Sequence, residues 1–251
     1  MAATKTVRTK DRSIVFENHL DSTFEYWRRF GGVPPLKGKR VLDFGCGTGG
    51  MVQRLIDNGA AEVVGVDISE YAVAYGAERL APYGDRVKMY AADIRTLDVG
   101  SFDVIVSQNT LEHVMPLGEV TRAVADRAKP GADMYFGFSP LWYSPFGHHG
   151  YPITRLPWHH LIFGDKAVLD AMEATSGKRY ADAFDAGFNK ATPDDFEAMF
   201  KTLPADIVSL RRNIVTGGWK QTVASIFGPI ADLPPFRKYM TVSMYAHLRK
   251  R

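Results

Sequence analysis

Cysteine is almost missing from this chain: Cys46 is the only one in 251 residues. An internal disulfide framework is therefore excluded, and a reducing compartment is expected. No apolar run reaches the length of a bilayer span and no signal-peptide pattern is seen, so no membrane partner and a cytoplasmic location are expected. Charge of one sign is scarce as well. The formal net charge is +3, with no Lys/Arg run and no basic helix, and nucleic acid is not expected as a partner. No internal repeat is visible. What remains, 45% hydrophobic and 24% charged residues, is ordinary for a globular protein with length for one large α/β domain and insertions.

The chain is organised around Val41-Leu42-Asp43-Phe44-Gly45-Cys46-Gly47-Thr48-Gly49-Gly50. Apolar residues lead into glycines, and a helical pattern follows from Met51, which reads as a buried strand, a tight turn and a helix start. The glycines let the backbone turn sharply and let a ligand approach without a Cβ in the way. A ligand lying there meets the free N–H groups of the helix start. Gly45, Gly47 and Gly50 satisfy G-x-G-x-x-G, so a dinucleotide is formally allowed. Asp43, two residues before the first glycine, can instead face a cationic amino group. Cys46 inside the loop reads as a packing residue.

The segments that follow alternate strand and helix. A helix over Met51–Asn58 stops at Gly59, and Glu62–Asp67 is a second strand ending in an acid. An acid about 20 residues past such a loop grips ribose hydroxyls, and Asp67 suits an adenosyl or a nicotinamide cofactor. Ile68 beside it is placed for an adenine face. Ser69 caps a helix over Glu70–Leu80, and a third strand, Val87–Ala91, leads to Asp93-Ile94. The fourth strand, Ser101–Asn109, ends with Gln108 and Asn109 at the carboxyl end of the sheet, where ligands bind in open α/β folds. A helix over Pro116–Arg127, a turn over Lys129–Ala132 and a fifth strand, Asp133–Phe138, complete this part.

Asp43-x-Gly45-x-Gly47-x-Gly49 and the run Thr110-Leu111-Glu112-His113-Val114 after the fourth strand carry a resemblance. The chain resembles the class I S-adenosylmethionine-dependent methyltransferases, closely over 38–138 and in outline elsewhere. Both motifs are similar to those of ubiquinone-biosynthesis-type O-methyltransferases. The resemblance implies a Rossmann-like seven-stranded, mostly parallel sheet with an antiparallel last strand. It also implies S-adenosylmethionine as cofactor, held by Asp43, Gly45, Gly47, Gly49, Asp67, Ile68, Asp93, Ile94, Gln108 and Asn109. In that family the acid at Asp93 accepts the adenine amino group and the next backbone N–H reads the ring, a need that dinucleotide folds do not share.

Outside the core, residues 1–12 read as a loose tail and 14–30 as a helix, either packed on the sheet edge or folded over the cofactor as a lid. Residues 139–190 read as a substrate cap. Within it, 139–164 break the α/β rhythm with several prolines, several aromatics and His148, His149, His159 and His160. A long irregular segment beside the methyl-donor site is more often functional than connective, and its aromatics can wall an apolar or cationic substrate. Beyond it come helices from Asp165, which is placed to cap, and from Thr192-Pro193. A strand over Ile207–Val215, a helical insertion over Lys220–Phe227 and a last strand over Met240–Arg249 follow.

Three readings compete for the histidines, His113 included. One ring is a general base; or the rings, with Glu112, bind a divalent ion; or they hold the cap together by hydrogen bonds. The related O-methyltransferases bind such an ion through an acid-rich version of the Leu-Glu-His-Val run, but Asn109 stands here in place of one acid, and no metal is assigned. Adjacent histidines in extended backbone point to opposite sides, so each pair offers one ring inward. Tyr143 is a further polar candidate. The expected activity is transfer of a methyl group to an O or N atom of a small molecule in a capped pocket. The alternatives are a macromolecular acceptor approached through a basic face (Arg211, Arg212, Lys220, Lys250, Arg251), a nicotinamide-dependent oxidoreductase, and a binder without turnover.

Overall fold

Short β-branched runs form the centre of the sheet. The computed structural model describes residues 11–149, 154, 156–213, 231–234 and 236–251. Its strands are β1 (Arg40–Phe44), β2 (Glu62–Asp67), β3 (Val87–Ala91), β4 (Phe102–Gln108), β5 (Ala128–Phe138), β6 (Ala205–Arg212) and β7 (Met244–Lys250). They form one seven-stranded sheet in the order β3-β2-β1-β4-β5-β7-β6. The first five are parallel, and β7 runs antiparallel between β5 and β6. Successive side chains of a strand face opposite ways, so β1 sends Val41 to one core and Leu42 to the other. Strands covered on both faces in this way read as continuous apolar runs.

The order reverses between β1 and β4, and this switch point opens a crevice at the carboxyl ends of the strands. Helices α2 (Gly50–Asp57), α3 (Glu70–Leu80) and α4 (Leu117–Asp126) connect the strands around it. Helix α1 (Arg12–Phe30) starts at an Asp11 cap and ends at Gly31 in the left-handed region. It packs closely on α2: a Cβ on Gly50 would lie 2.6 Å from the Leu20 backbone nitrogen. Tyr26, buried on the same helix, donates its hydroxyl to the Tyr135 carbonyl of β5 at 2.6 Å.

The cap carries α5 (His159–Phe163) and α6 (Asp165–Ser176) around a small core of Trp142, Val168, Met172, Ala183 and Phe188. Helix α7 (Pro193–Thr202) begins with a Thr192–Asp195 capping box. Among the described residues no helix is long and apolar enough to cross a membrane.

Several boundaries depart from the sequence reading. Asp165 is the first residue of α6, not its cap; Gly164 holds the cap position at φ 78°. Lys129-Pro130-Gly131 does not stand as a separate turn but lies inside β5, as an irregularity where pairing jumps from Phe102–Ala128 to Val104–Asp133. Strand β6 stops at Arg212 because Asn213 adopts φ 52° and its side chain accepts the Val242 amide at 2.7 Å. Met240 ends a short helix, α8 (Phe236–Met240), instead of opening β7. Thr241 extends that turn by donating to the Arg237 carbonyl at 2.8 Å. The Lys220–Phe227 insertion and most of the tail lie outside the described residues.

Candidate active site

The glycine loop after β1 is held by its neighbours. Gly45 and Gly47 adopt φ of 76° and 50°, and a Cβ on Gly45 would sit 2.1 Å from Thr110 Oγ1. No side chain fits there. The Gly45 amide donates to the Val66 carbonyl of β2 at 2.8 Å. Asp67, at the end of β2, accepts the Gly47 amide through Oδ2 at 2.9 Å and the Ser69 amide through Oδ1 at 2.8 Å. Each carboxylate oxygen keeps a second lone pair for a ligand. Asp43 is 1% exposed, and its Oδ2 has no hydrogen-bond partner. Burial, assisted by the charge of Asp67, pushes its carboxyl up to about 8.

A cavity of about 540 Å³ opens in the crevice. Asp43, Gly45, Gly47, Asp67 and Ile68 line one side, and Asp93, Ile94, Gln108 and Asn109 continue the wall. Ile68 is 82% exposed, an apolar side chain with a free face. The Asp93 carboxylate is already gripped by Arg95 at 2.6 Å, and that hydrogen-bonded guanidinium holds its carboxyl below the usual range. Gly49 is the one expected loop residue that does not reach the cavity. It is the left-handed N-cap of α2, packed so tightly that a Cβ would lie 2.9 Å from Leu80 Cδ1.

The sequence reading missed part of the wall. His19 and Ser22 of α1 line it, and Gln108 Nε2 donates to Ser22 Oγ at 3.0 Å. Helix α1 thus buries Phe16, Tyr26 and Trp27 against the core while presenting another face to the cavity. A polar pair three residues apart inside an amphipathic helix was the available signal. Arg95, Thr110 and Met115 also lie on the cavity.

The histidines divide into two groups. His113 lines the cavity, in the short turn over Leu111–His113 after β4. Its Nδ1 pairs with the Gly187 carbonyl of the cap at 2.8 Å, which assigns the proton to Nδ1 and leaves Nε2 free. Its pKa is lowered, chiefly by burial, so the ring is neutral at pH 7. His149 lies beside it, with ring centroids 4.9 Å apart. Burial brings His149 down to about 4. Before both stands Glu112, 4% exposed, with Oε1 accepting the Ser139 amide at 3.2 Å and Oε2 unpartnered. Burial pushes that carboxyl up to about 8.

His148, His159 and His160 do not line the cavity. His148 stacks on His159 at 4.4 Å, and His160 pairs through Nε2 with the Trp142 carbonyl at 2.6 Å. Both members of the second pair are buried, because His159 and His160 open a helix whose first turn packs into the cap. Tyr143 is turned away as well, with Lys238 Nζ 3.8 Å above its ring. Trp142, one of the aromatics of the 139–164 segment, is a core residue of the cap.

Residues 41–131 match a family model described as a methyltransferase domain. A ubiquinone biosynthesis O-methyltransferase of Ralstonia nicotianae is 36% identical over 105 residues, which are 41% of this chain and 44% of the relative. The 41–131 core thus matches a methyltransferase domain, in the fold of S-adenosylmethionine-dependent methyltransferases. The chain spans less than half the length of the curated relatives it matches, 44% of the Ralstonia protein. The fold extends further. A structure of an S-adenosylmethionine-dependent methyltransferase from Mesorhizobium loti matches with a TM-score of 0.61 at 19% identity, over 92% of this chain and all of that one. Magnesium protoporphyrin IX methyltransferase from Synechocystis, with bound S-adenosylmethionine, matches with a TM-score of 0.53 at 16% identity, over 100% of this chain and 86% of that one.

The methyltransferase domain has donors and acceptors that suit its cofactor. The unpartnered, buried Asp43 oxygen lies on the cavity wall, the chemistry that a cationic amino group satisfies. Asp67 has lone pairs left for two vicinal hydroxyls, and the glycine loop admits close backbone approach. No pyrophosphate is needed to account for any of these groups.

Proposed function

We propose that this chain transfers a methyl group from S-adenosylmethionine to an O or N atom of a small molecule held under the 139–190 cap. The observation carrying this reading is that one cavity is lined both by the cofactor-type residues Asp43 and Asp67 and by His113, Met115 and Gly187. Its volume of about 540 Å³ falls within the range of small-ligand sites. The wall residues Asp43, Gly47, Asp67, Ile68, Asp93 and Ile94 would hold the cofactor, and His19 and Ser22 would close over it from α1.

Bound S-adenosylmethionine supplies the electrophilic methyl group. The chain's residues have to align the acceptor with it and keep water out. The cap meets the core at the His113–Gly187 contact, which supports a closed acceptor end. The neutral ring of His113 presents a nitrogen lone pair to the cavity there, the polar group that an acceptor hydroxyl or amine requires. Ubiquinone biosynthesis in the Ralstonia relative's name favours an oxygen acceptor, although the family-model match ends at residue 131, before the cap.

A macromolecular acceptor is less favoured because three of the five basic residues named for it are engaged. Arg212 pairs with Glu197 and Asp232, Lys250 lies 3.6 Å from Asp126, and Arg251 lies 3.7 Å from Asp206. Lys220 lies outside the described residues. The test is incubation of the protein with methyl-labelled S-adenosylmethionine and a cell extract, separated by size. Label in a small metabolite is the expected result. Label in RNA or protein would overturn the small-molecule reading, and cofactor binding without label in any fraction would favour a binder without turnover.

A further inference from the structure

We infer that the hollow between the carboxyl ends of α1 and α2 binds a small carboxylic acid with an apolar body, and that this occupant fastens α1 in place. The hollow shares no lining residue with the cofactor cavity. Its volume of about 250 Å³ sits just below the usual range of ligand pockets, so the occupant is small. Phe24, Trp27 and Val33 supply an apolar wall, and Arg28 and Arg54 bring cations to it. Phe24 and Val33 are exposed, and the hydrocarbon part of a ligand would cover them.

The main-chain acceptors around this hollow are already used. At the end of α1 the Trp27 carbonyl accepts the Gly32 amide at 2.9 Å, and the Arg28 carbonyl accepts the Gly31 amide at 3.2 Å. At the end of α2 the Arg54 carbonyl accepts the Asn58 amide at 3.1 Å and its side-chain Nδ2 at 2.7 Å. The Ile56 carbonyl accepts the Gly59 amide at 3.1 Å. Carbonyls that would otherwise repel an anion at two helix ends are thus partnered.

Donors are left over. Trp27 is buried, and its Nε1 has no hydrogen-bond partner, a cost that an acceptor would remove. Arg54 is half-buried, and donates Nε to Thr23 Oγ1 at 3.0 Å and Nη2 to the Leu20 carbonyl at 3.4 Å. Both partners are neutral, and among the described residues no carboxylate pairs with it. Arg28 is matched by Glu25 at 2.7 Å, so Arg54 is the cation of this wall that lacks a counter-ion. A guanidinium held in a fixed orientation presents a fork that a carboxylate matches. The apolar wall selects a carboxylate carrying hydrocarbon over a bare inorganic anion.

The hollow and the cofactor cavity are served by neighbouring residues of one helix. Thr23 holds Arg54, whereas Ser22 lines the cavity and accepts Gln108 Nε2. An occupant that ties Arg54 of α2 to Trp27 of α1 stabilises the docked helix. It should therefore tighten S-adenosylmethionine, a consequence that rests on the proposed closure of His19 and Ser22 over the cofactor.

The probe is phenylacetate, titrated into the full chain free of cofactor, with uncharged phenylacetamide in parallel. Expected are saturable one-to-one binding of phenylacetate, binding of the amide weaker by about tenfold or more, and a shift of one tryptophan indole N–H resonance. Arg54→Met, which keeps the apolar stem, should weaken phenylacetate by about tenfold or more. Val33→Glu puts a carboxylate on the wall from an exposed position, leaves the Arg54–Thr23 bond intact and should weaken the probe likewise. It serves if Arg54→Met does not melt cooperatively. Absence of saturable phenylacetate binding overturns the inference, and so does equal affinity for the amide or native affinity in a folded variant. With phenylacetate saturating, S-adenosylmethionine should bind more tightly, and the cofactor should tighten phenylacetate by the same factor. Unchanged cofactor affinity would overturn the fastening of α1. The first titration needs neither cofactor nor methyl transfer, so failure of the proposed activity and failure of this site remain distinguishable.

Discussion

Asp67 Oδ2 accepts the Gly47 amide at 2.9 Å, so the acid at the end of β2 shapes the glycine loop as well as facing the cavity. Asp67→Ala removes both functions. Cofactor binding should weaken by about 1–3 kcal/mol, the usual cost of polar groups left unpaired. Titration calorimetry with S-adenosylmethionine reads this directly, and unchanged affinity would show that the ribose end lies elsewhere.

Asp43 makes cofactor binding depend on protons. Its carboxyl is raised from the ordinary 3.8 to about 8 by burial, with Asp67 adding to the shift. In the ligand-free protein this group's stabilising contribution is complete below the unfolded value and is lost as pH rises to about 8. A cationic ligand favours the carboxylate, so binding at pH 7 should release close to one proton. Calorimetry in two buffers of different ionisation enthalpy should give different heats, and Asp43→Asn should abolish the difference. Equal heats for the native protein would contradict the assignment.

The strand, turn and acid pattern of 41–67 was legible because it obeys local rules. A doubly covered parallel strand must be apolar throughout, a tight turn needs glycine, and an acid ends the next strand. Those rules also put Asp43, Asp67, Asp93 and Gln108 on the cavity wall. They misjudged Gly49, whose role is helix packing, because the spacing of a glycine does not reveal which way its missing side chain would point. The cap was legible as an irregular segment but not as a shape. Only the tertiary contacts separate His149, beside His113, from His148, stacked on His159. The 14–30 helix was legible as a sheet-edge packer or a lid, but that His19 and Ser22 are the residues facing the cavity depends on tertiary contacts.

Helix α1 should be coupled to the cofactor loop through one glycine. In Gly50→Ala the new methyl would lie 2.6 Å from the Leu20 nitrogen and 2.9 Å from the Phe16 carbonyl oxygen. Overpacking of this kind costs about 1–3 kcal/mol. It should also displace His19 and Ser22 and weaken S-adenosylmethionine. A denaturant midpoint and a cofactor affinity both equal to those of the native protein would refute the coupling.

His113 and His160 should respond differently to substitution. His160→Ala leaves the buried Trp142 carbonyl without its partner at 2.6 Å and should cost about 1–3 kcal/mol of stability. His113→Gln should spare folding and cofactor affinity but slow methyl transfer by about 10²–10⁴-fold, the range for a group acting at the reacting atoms. Thermal denaturation and turnover of the two variants, measured side by side, check this. A folded His113→Gln protein with native turnover would remove His113 from the acceptor end.

The cofactor assignment underlies every other conclusion, and parallel titration of the chain with S-adenosylmethionine and with NADH tests it most directly. Saturable one-to-one binding of S-adenosylmethionine, weakened in Asp67→Ala and absent for NADH, is the predicted result. Saturable NADH binding with no heat from S-adenosylmethionine would contradict the account.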